Sequence, residues 1–256
     1  MFSMTSNYLL FASFFLSSLA LAQECSNASL SGPYAFSASG TLTVNSKTST
    51  NSEVGRMVFD GKGSLTGYSA RTNNGVTSVG SFAGTYAVGS DCTTTGKTTY
   101  ADGTIDFDMV IVNGGGDFSF ILRDPAFTES GNGTKIEAQG ACSSATVLGA
   151  YGYQGDGQVT VDGKVFSLAE IGILTFNGKG SVTGTYSAVA AGAVERFTFT
   201  GSYELGDDCT ANLKFTVGSA NYLTNFVVAN MGNTLYYSEV GPNTVIVGQG
   251  TRTFLK

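Results

Sequence analysis

The chain repeats itself once, at a fixed offset of 117 residues and without insertion or deletion. Cys25 maps to Cys142 and Cys92 to Cys209; Phe59-Asp60-Gly61-Lys62-Gly63-Ser64 maps to Phe176-Asn177-Gly178-Lys179-Gly180-Ser181. Gly32-Pro33-Tyr34 answers to Gly149-Ala150-Tyr151, and Gly84-Thr85-Tyr86 to Gly201-Ser202-Tyr203. The register holds as far as Gly131, Gly133 and Thr134 against Gly248, Gly250 and Thr251. Whatever one unit of about a hundred residues folds into, the chain makes it twice.

Residues 1–22 read as a secretory signal peptide. Leu9 to Ala22 is an apolar, small-residue run, and Ala20-Leu21-Ala22 supplies an A-x-A cleavage site. The run is too short and too rich in serine to span a bilayer. Removing it leaves two equal units, 23–139 and 140–256, joined by a short link around Ala138-Gln139-Gly140 that brings the units into contact. The expected location is extracellular, or periplasmic in a Gram-negative host.

Four cysteines in an exported chain imply two disulfides, for which three pairings exist. Duplication favours Cys25–Cys92 and Cys142–Cys209, which close identical spans of 67 residues. A zinc site is the competing reading, but no two cysteines lie close together and the chain contains no histidine. The net charge of −6 argues against nucleic acid and anionic membranes as partners. With only 12% charged residues and 35 glycines, solubility falls to Ser, Thr, Asn and turns. Asn27-Ala28-Ser29 and Asn132-Gly133-Thr134 are sequons, relevant in a eukaryotic host.

Alternating runs separated by Gly, Asn and Asp dominate after residue 22. Phe82, Gly84, Tyr86 and Val88 share one face, as do Phe199, Gly201, Tyr203 and Leu205; Ile105, Phe107, Met109 and Ile111 form another, and Phe118, Phe120 and Leu122 a third. Asp60-Gly61 and Asn177-Gly178 mark tight hairpins, with Lys62 and Lys179 as solvated turn residues. About eight strands per unit predict an all-β fold of two antiparallel barrels; two β-sandwiches are the alternative. Glycines within strands (Gly67, Gly84, Gly184, Gly201) favour the barrel, whose strands must curve. A barrel of that size is filled by side chains or holds one small ligand.

The motifs Leu30 to Tyr34, Phe59 to Gly67 and Gly84 to Thr93, repeated as Leu148 to Tyr151, Phe176 to Gly184 and Gly201 to Thr210, resemble a family of small secreted β-domains of unassigned activity. More distantly the layout is similar to calycin-type and allene-oxide-cyclase-like barrels. That resemblance implies a small apolar ligand, or isomerase or cyclase chemistry; no avidin or lipocalin site carries over, since the chain has no Trp.

Without histidine, Ser-His-Asp and Cys-His catalysis are excluded, and bridged cysteines leave no thiol nucleophile. Gly114-Gly115-Gly116 leads into a strand and lacks a Lys-Ser/Thr pair, so it is a hairpin and not a phosphate loop. No cofactor is implied. Carboxylates remain. Asp91 and Asp208 read as turn caps, Asp207 as a turn residue, and Asp106 and Asp108 as solvated neighbours on one strand face. No catalytic residue is assigned; Glu53 and Glu170 are the candidates, the alternative being that each is a solvated glutamate at a strand start. Strand parity puts Glu53 on the side of Met57 and Phe59, and Glu170 on the side of Leu174 and Phe176. If that side is interior, each unit places one carboxylate at or near a cavity mouth, where burial raises its pKa. Tyr34, Phe36, Tyr86 and Phe118 read as core.

Three functions fit: a non-enzymatic secreted protein binding a small apolar ligand or a surface partner, an isomerase or cyclase using Glu53 or Glu170, and a structural matrix or coat protein. The first is preferred, because the residues shared by the two copies are glycines, aromatics, turns and cysteines, which specify a scaffold.

Overall fold

A computed structural model describes residues 24–44, 46–73, 75–137, 140–241 and 243–253. The expected signal peptide lies outside the described residues. The first eight strands are β1 (Ser31–Val44), β2 (Lys47–Asp60), β3 (Ser64–Asn73), β4 (Val76–Val88), β5 (Thr93–Tyr100), β6 (Gly103–Val112), β7 (Asp117–Leu122) and β8 (Phe127–Lys135). Their repeats are β9 (Gly149–Val161), β10 (Lys164–Phe176), β11 (Ser181–Ala190), β12 (Ala193–Leu205), β13 (Thr210–Val217), β14 (Ala220–Ala229), β15 (Thr234–Gly241) and β16 (Thr244–Arg252). Each set closes into an up-and-down antiparallel barrel, β1 on β8 and β9 on β16. The barrel is therefore realised over the sandwich.

Alternation builds the interior as the pattern predicts. Tyr34, Phe36, Phe59, Phe82, Phe107, Phe118 and Phe120 point inward in the first barrel, where Phe59 packs edge to face with Tyr86 at 5.0 Å and with Tyr34 at 5.4 Å. One end of each barrel is sealed. The Tyr34 hydroxyl donates to the Gly115 carbonyl at 2.5 Å, and Tyr151 repeats this with Gly232. Beside them run Cys25–Cys92 and Cys142–Cys209, each closing 67 residues. The hairpin before β3 is capped by Asp60, whose Oδ1 accepts from the amides of Lys62, Gly63 and Ser64, while Gly61 takes φ 74°. Asn177 does the same for Lys179 and Ser181.

The glycines inside strands do more than permit curvature. An added Cβ at Gly67 would lie 2.1 Å from the Phe82 ring, and one at Gly184 2.3 Å from the Phe199 ring. A ring from the adjacent strand occupies the place of the missing side chain.

The barrels pack side by side. Ala35, Val54 and Ala70, on the outside of β1–β3, join the hydrophobic cluster of the second barrel. Ser52 and Ser238 hydroxyls meet at 3.1 Å, Thr134 and Tyr236 at 2.8 Å, and Thr50 bonds Gln158.

Two stability predictions follow from this packing. Gly184→Ala should cost about 1–3 kcal/mol in chemical denaturation by forcing Phe199 off its seat, while Gly80→Ala, with no atom within 4 Å of the new Cβ, should stay within about 0.5 kcal/mol. Replacing Cys142 and Cys209 by serine should lower stability by roughly 4 kcal/mol, since the bridge closes a 67-residue loop.

Candidate functional site

The end of each barrel opposite its disulfide holds the buried charge. In the first barrel Glu53 on β2, Arg71 on β3 and Glu129 on β8 all point inward, as their ladder positions require: Glu53 pairs with Arg71, and Glu129 with Gly40. Glu53 is 2% exposed and Glu129 4%. Arg71 Nε stands 3.7 Å from Glu53 Oε2, and its guanidinium lies 4.0 Å over the Tyr100 ring. The Tyr100 hydroxyl donates to Glu53 Oε1 at 3.2 Å, and Asn51 Nδ2 donates to Glu129 Oε2. Arg71 also reaches Asp102 at the rim, 3.6 Å away. One guanidinium thus pairs with a buried carboxyl, Glu53, and an exposed one, Asp102. Burial, with Glu53 alongside, pushes Glu129 up to about 8 against the opposing pull of Arg71. Glu129 is the neutral member.

In the second barrel Glu170 sits on β10 and Glu239 on β15, 6% and 7% exposed. The Tyr237 hydroxyl donates to Glu170 Oε1 at 2.9 Å, and Thr224 Oγ1 stands 3.5 Å from Glu239 Oε2. Among the described residues, no Lys or Arg pairs with either carboxyl. Arg71 has its counterpart in Ala188, which faces Glu170 across the ladder. Burial pushes Glu170 up to about 7, and burial together with Glu170 holds Glu239 well above the carboxylate range. Both carboxyls line a cavity walled by Tyr153, Leu174, Phe199, Phe215 and Tyr237. It offers about 30 Å³ to the centres of water molecules, room for roughly two waters. Tyr186, Phe197 and Tyr222 stand half-buried above it, Tyr186 and Phe197 with ring centres 5.0 Å apart. A wider groove of about 670 Å³ runs between the barrels past Ser37, Asn132, Gln154 and Asp156, but it is open and holds no buried carboxyl.

Of the two glutamates singled out from sequence, Glu53 is thus committed to Arg71, whereas Glu170 lies free of any cation at a cavity. Their partners Glu129, Arg71, Tyr100, Glu239 and Tyr237 escaped the sequence reading. Asp91 and Asp208 cap turns, each Oδ1 accepting from the following Thr amide and hydroxyl. Asp108 pairs with Arg123 at 3.1 Å on the surface. Among the described residues no group of acidic or sulfur side chains is arranged to hold a metal. Asn27 is partly buried, its Oδ1 accepting from the Val88 amide at 2.8 Å, while Asn132 is exposed.

No family model and no curated protein matches the chain. It is similar in structure to an AttH candidate from Nitrosomonas europaea, with TM-score 0.30, 9% identity, and 88% of this chain and 93% of that one covered. It is also similar to kievitone hydratase from Nectria haematococca, with TM-score 0.31, 9% identity and 91% of each chain covered. Both are too remote to inform the site.

The raised carboxyls set the direction of the pH dependence. In the unfolded chain they ionise from about pH 4.5, while the fold keeps Glu170 protonated to about 7 and Glu129 to about 8. Their contribution is therefore complete below pH 4.5 and is lost as pH rises through 7 to 8. Melting temperature should fall across that window, and Glu129→Gln with Glu170→Gln should flatten the fall. An unchanged slope in the double variant would show that these carboxyls are already ionised in the fold.

Proposed function

We propose that this is an exported, non-enzymatic binding protein in which the second barrel receives a small ligand and the first is its scaffold. The observation that carries this reading is the difference between two copies of one design. The first barrel fills its polar end with Arg71 stacked on Tyr100. The second leaves a cavity there, walled by aromatic rings and furnished with two carboxyls. Apolar walls with a few convergent polar groups are the usual chemistry of a small-molecule site. Room for about two waters, under a rim of half-buried aromatics, suits the head of a slender ligand whose tail lies among Tyr186, Phe197 and Tyr222. Two disulfides are at home in an oxidising compartment, in keeping with export.

A second reading has one observation in its favour. Glu170 is held near pH 7 by burial and bonded to Tyr237, which suits a carboxyl that gives and takes a proton, as an isomerase or cyclase needs.

Native mass spectrometry of the protein purified from its own secretion tests the binding reading. Extra mass that is released on denaturation, and that is absent when Leu213→Phe fills the cavity, is the expected result. Bound mass that survives the Leu213→Phe change would place the ligand elsewhere and overturn it. Should the released compound be converted by the protein, with turnover lost in Glu170→Gln and kept in Glu53→Gln, the enzymatic reading replaces it.

A further inference from the structure

The two barrels, read as copies of one another, identify what the second site lacks. In each, one buried glutamate occupies the same position, Glu53 and Glu170. Each barrel adds a second from the last hairpin, but from opposite strands of it. Glu129 on β8 corresponds by the repeat to Ile246, which pairs across the ladder with Glu239. The hairpin of the first barrel carries Leu122 where the second has Glu239. The two hairpins thus exchange which strand bears the acid and which the aliphatic, and both present two carboxyls to the same end of the barrel. In the first barrel a guanidinium lies between the walls, 3.7 Å from Glu53 and over an aromatic ring. In the second, the position that would supply it is Ala188. The basic residues described there do not make up for it: Lys164, Lys179, Arg196 and Lys214 are exposed on the outside, and Arg252 is bound to Tyr151 at the sealed end, 3.0 Å from its hydroxyl.

We propose that the second barrel binds a small organic cation, a primary alkylammonium or alkylguanidinium, whose head meets Glu170 and Glu239 as Arg71 meets Glu53 in the first barrel. This deepens the ligand-binding reading above and rests on it. The chemistry is complementary in three respects. Two carboxyls in a low-dielectric cavity attract a cation far more strongly than water-exposed ones do. Tyr153, Phe199 and Phe215 line the cavity with aromatic rings, the kind of group that Arg71 meets in Tyr100. At Ala188, opposite Glu170 on the ladder, a methyl group stands where the first barrel has the Arg71 side chain opposite Glu53.

The cation arrives at carboxyls that hold protons. Facing them are Tyr153 from β9, Tyr186 from β11, Tyr222 from β14 and Tyr237 from β15, each hydroxyl kept neutral by burial. From β12 come Phe199 and, exposed at its start, Glu195; β13 gives Leu213 and Phe215, and β16 gives Gly250. The carboxyls are therefore the proton source, and binding of the cation tightens as pH rises from 5 to 8.

The test is calorimetric titration of the intact two-barrel protein at pH 8 with pentylammonium, butylguanidinium, 1-pentanol and pentanoate. The expected result is one cation bound per protein, at least tenfold tighter than 1-pentanol, with pentanoate weaker still. Glu170→Gln combined with Glu239→Gln should erase that preference, and Ala188→Arg should block the cations by supplying the missing guanidinium. If 1-pentanol binds as tightly as pentylammonium, the cation is overturned while the ligand-binding reading stands. If no probe binds, or if binding is untouched by the glutamate changes, both fail at this site.

Discussion

Inside an eight-stranded barrel the side chains of opposite walls meet near the axis, so each inward position is filled in agreement with its neighbours across the ladder. Here the agreement takes one repeated form, a glycine on one strand under an aromatic ring from the next. Phe82 lies over Gly67, Phe107 over Gly96, Phe118 over Gly133 and Phe199 over Gly184, each ring within 2.4 Å of where a Cβ would stand. The cross-section is thus shared between large and absent side chains. The Gly67–Phe82 pair recurs in the second barrel as Gly184–Phe199, whereas Gly96–Phe107 gives way there to Leu213–Thr224 and Phe118 to Leu235. The sealed ends follow from the same economy, because Tyr34 and Tyr151 reach the axis and spend their hydroxyls on the Gly115 and Gly232 carbonyls.

The polar ends are where this shared design diverges. A carboxyl inside a barrel needs a counter-charge, a proton or a donor. The first barrel uses all three: Arg71 for Glu53, a proton for Glu129, and donation from Tyr100 and Asn51. In the second barrel only the proton and the donors remain, Tyr237 for Glu170 and a long contact from Thr224 to Glu239. Losing one basic side chain and moving one acid to the neighbouring strand turns a filled ion-pair cluster into a cavity with an excess of acceptors.

Much of this was legible in the sequence, and the part that was not has a definite cause. The 117-residue offset exposed the repeat; alternation exposed the strands, the inward faces of Phe82 and Phe118, and the side on which Glu53 and Glu170 lie. Equal spacing selected the disulfides. The same offset concealed the rest of the site. A comparison at +117 sets Glu129 against Ile246 and Glu239 against Leu122, so both acids look like unshared surface residues. They become equivalent only when the hairpin is folded and each is viewed beside its cross-strand neighbour. Comparing the copies by ladder position, Leu122 with Glu129 and Glu239 with Ile246, would have found the pair. Arg71 escaped for a simpler reason: an arginine opposite alanine reads as a variable surface position until the strand beneath it is known to face inward.

Joining the barrels bears on why the second can carry such a site. Two neighbouring buried carboxyls without a counter-ion weaken the domain that holds them at neutral pH, because one ionises only at the expense of the other. The first barrel, with its guanidinium in place, has no equal deficit. Its outer residues Ala35, Val54 and Ala70 extend the hydrophobic cluster of the second barrel beyond what that barrel buries alone. Each apolar side chain so covered contributes stabilisation in proportion to the area taken from water. That contribution depends neither on pH nor on a ligand, so it can offset the carboxyl pair in the empty state. A cation supplied from solution would then add to a fold already held closed, rather than being required to form it.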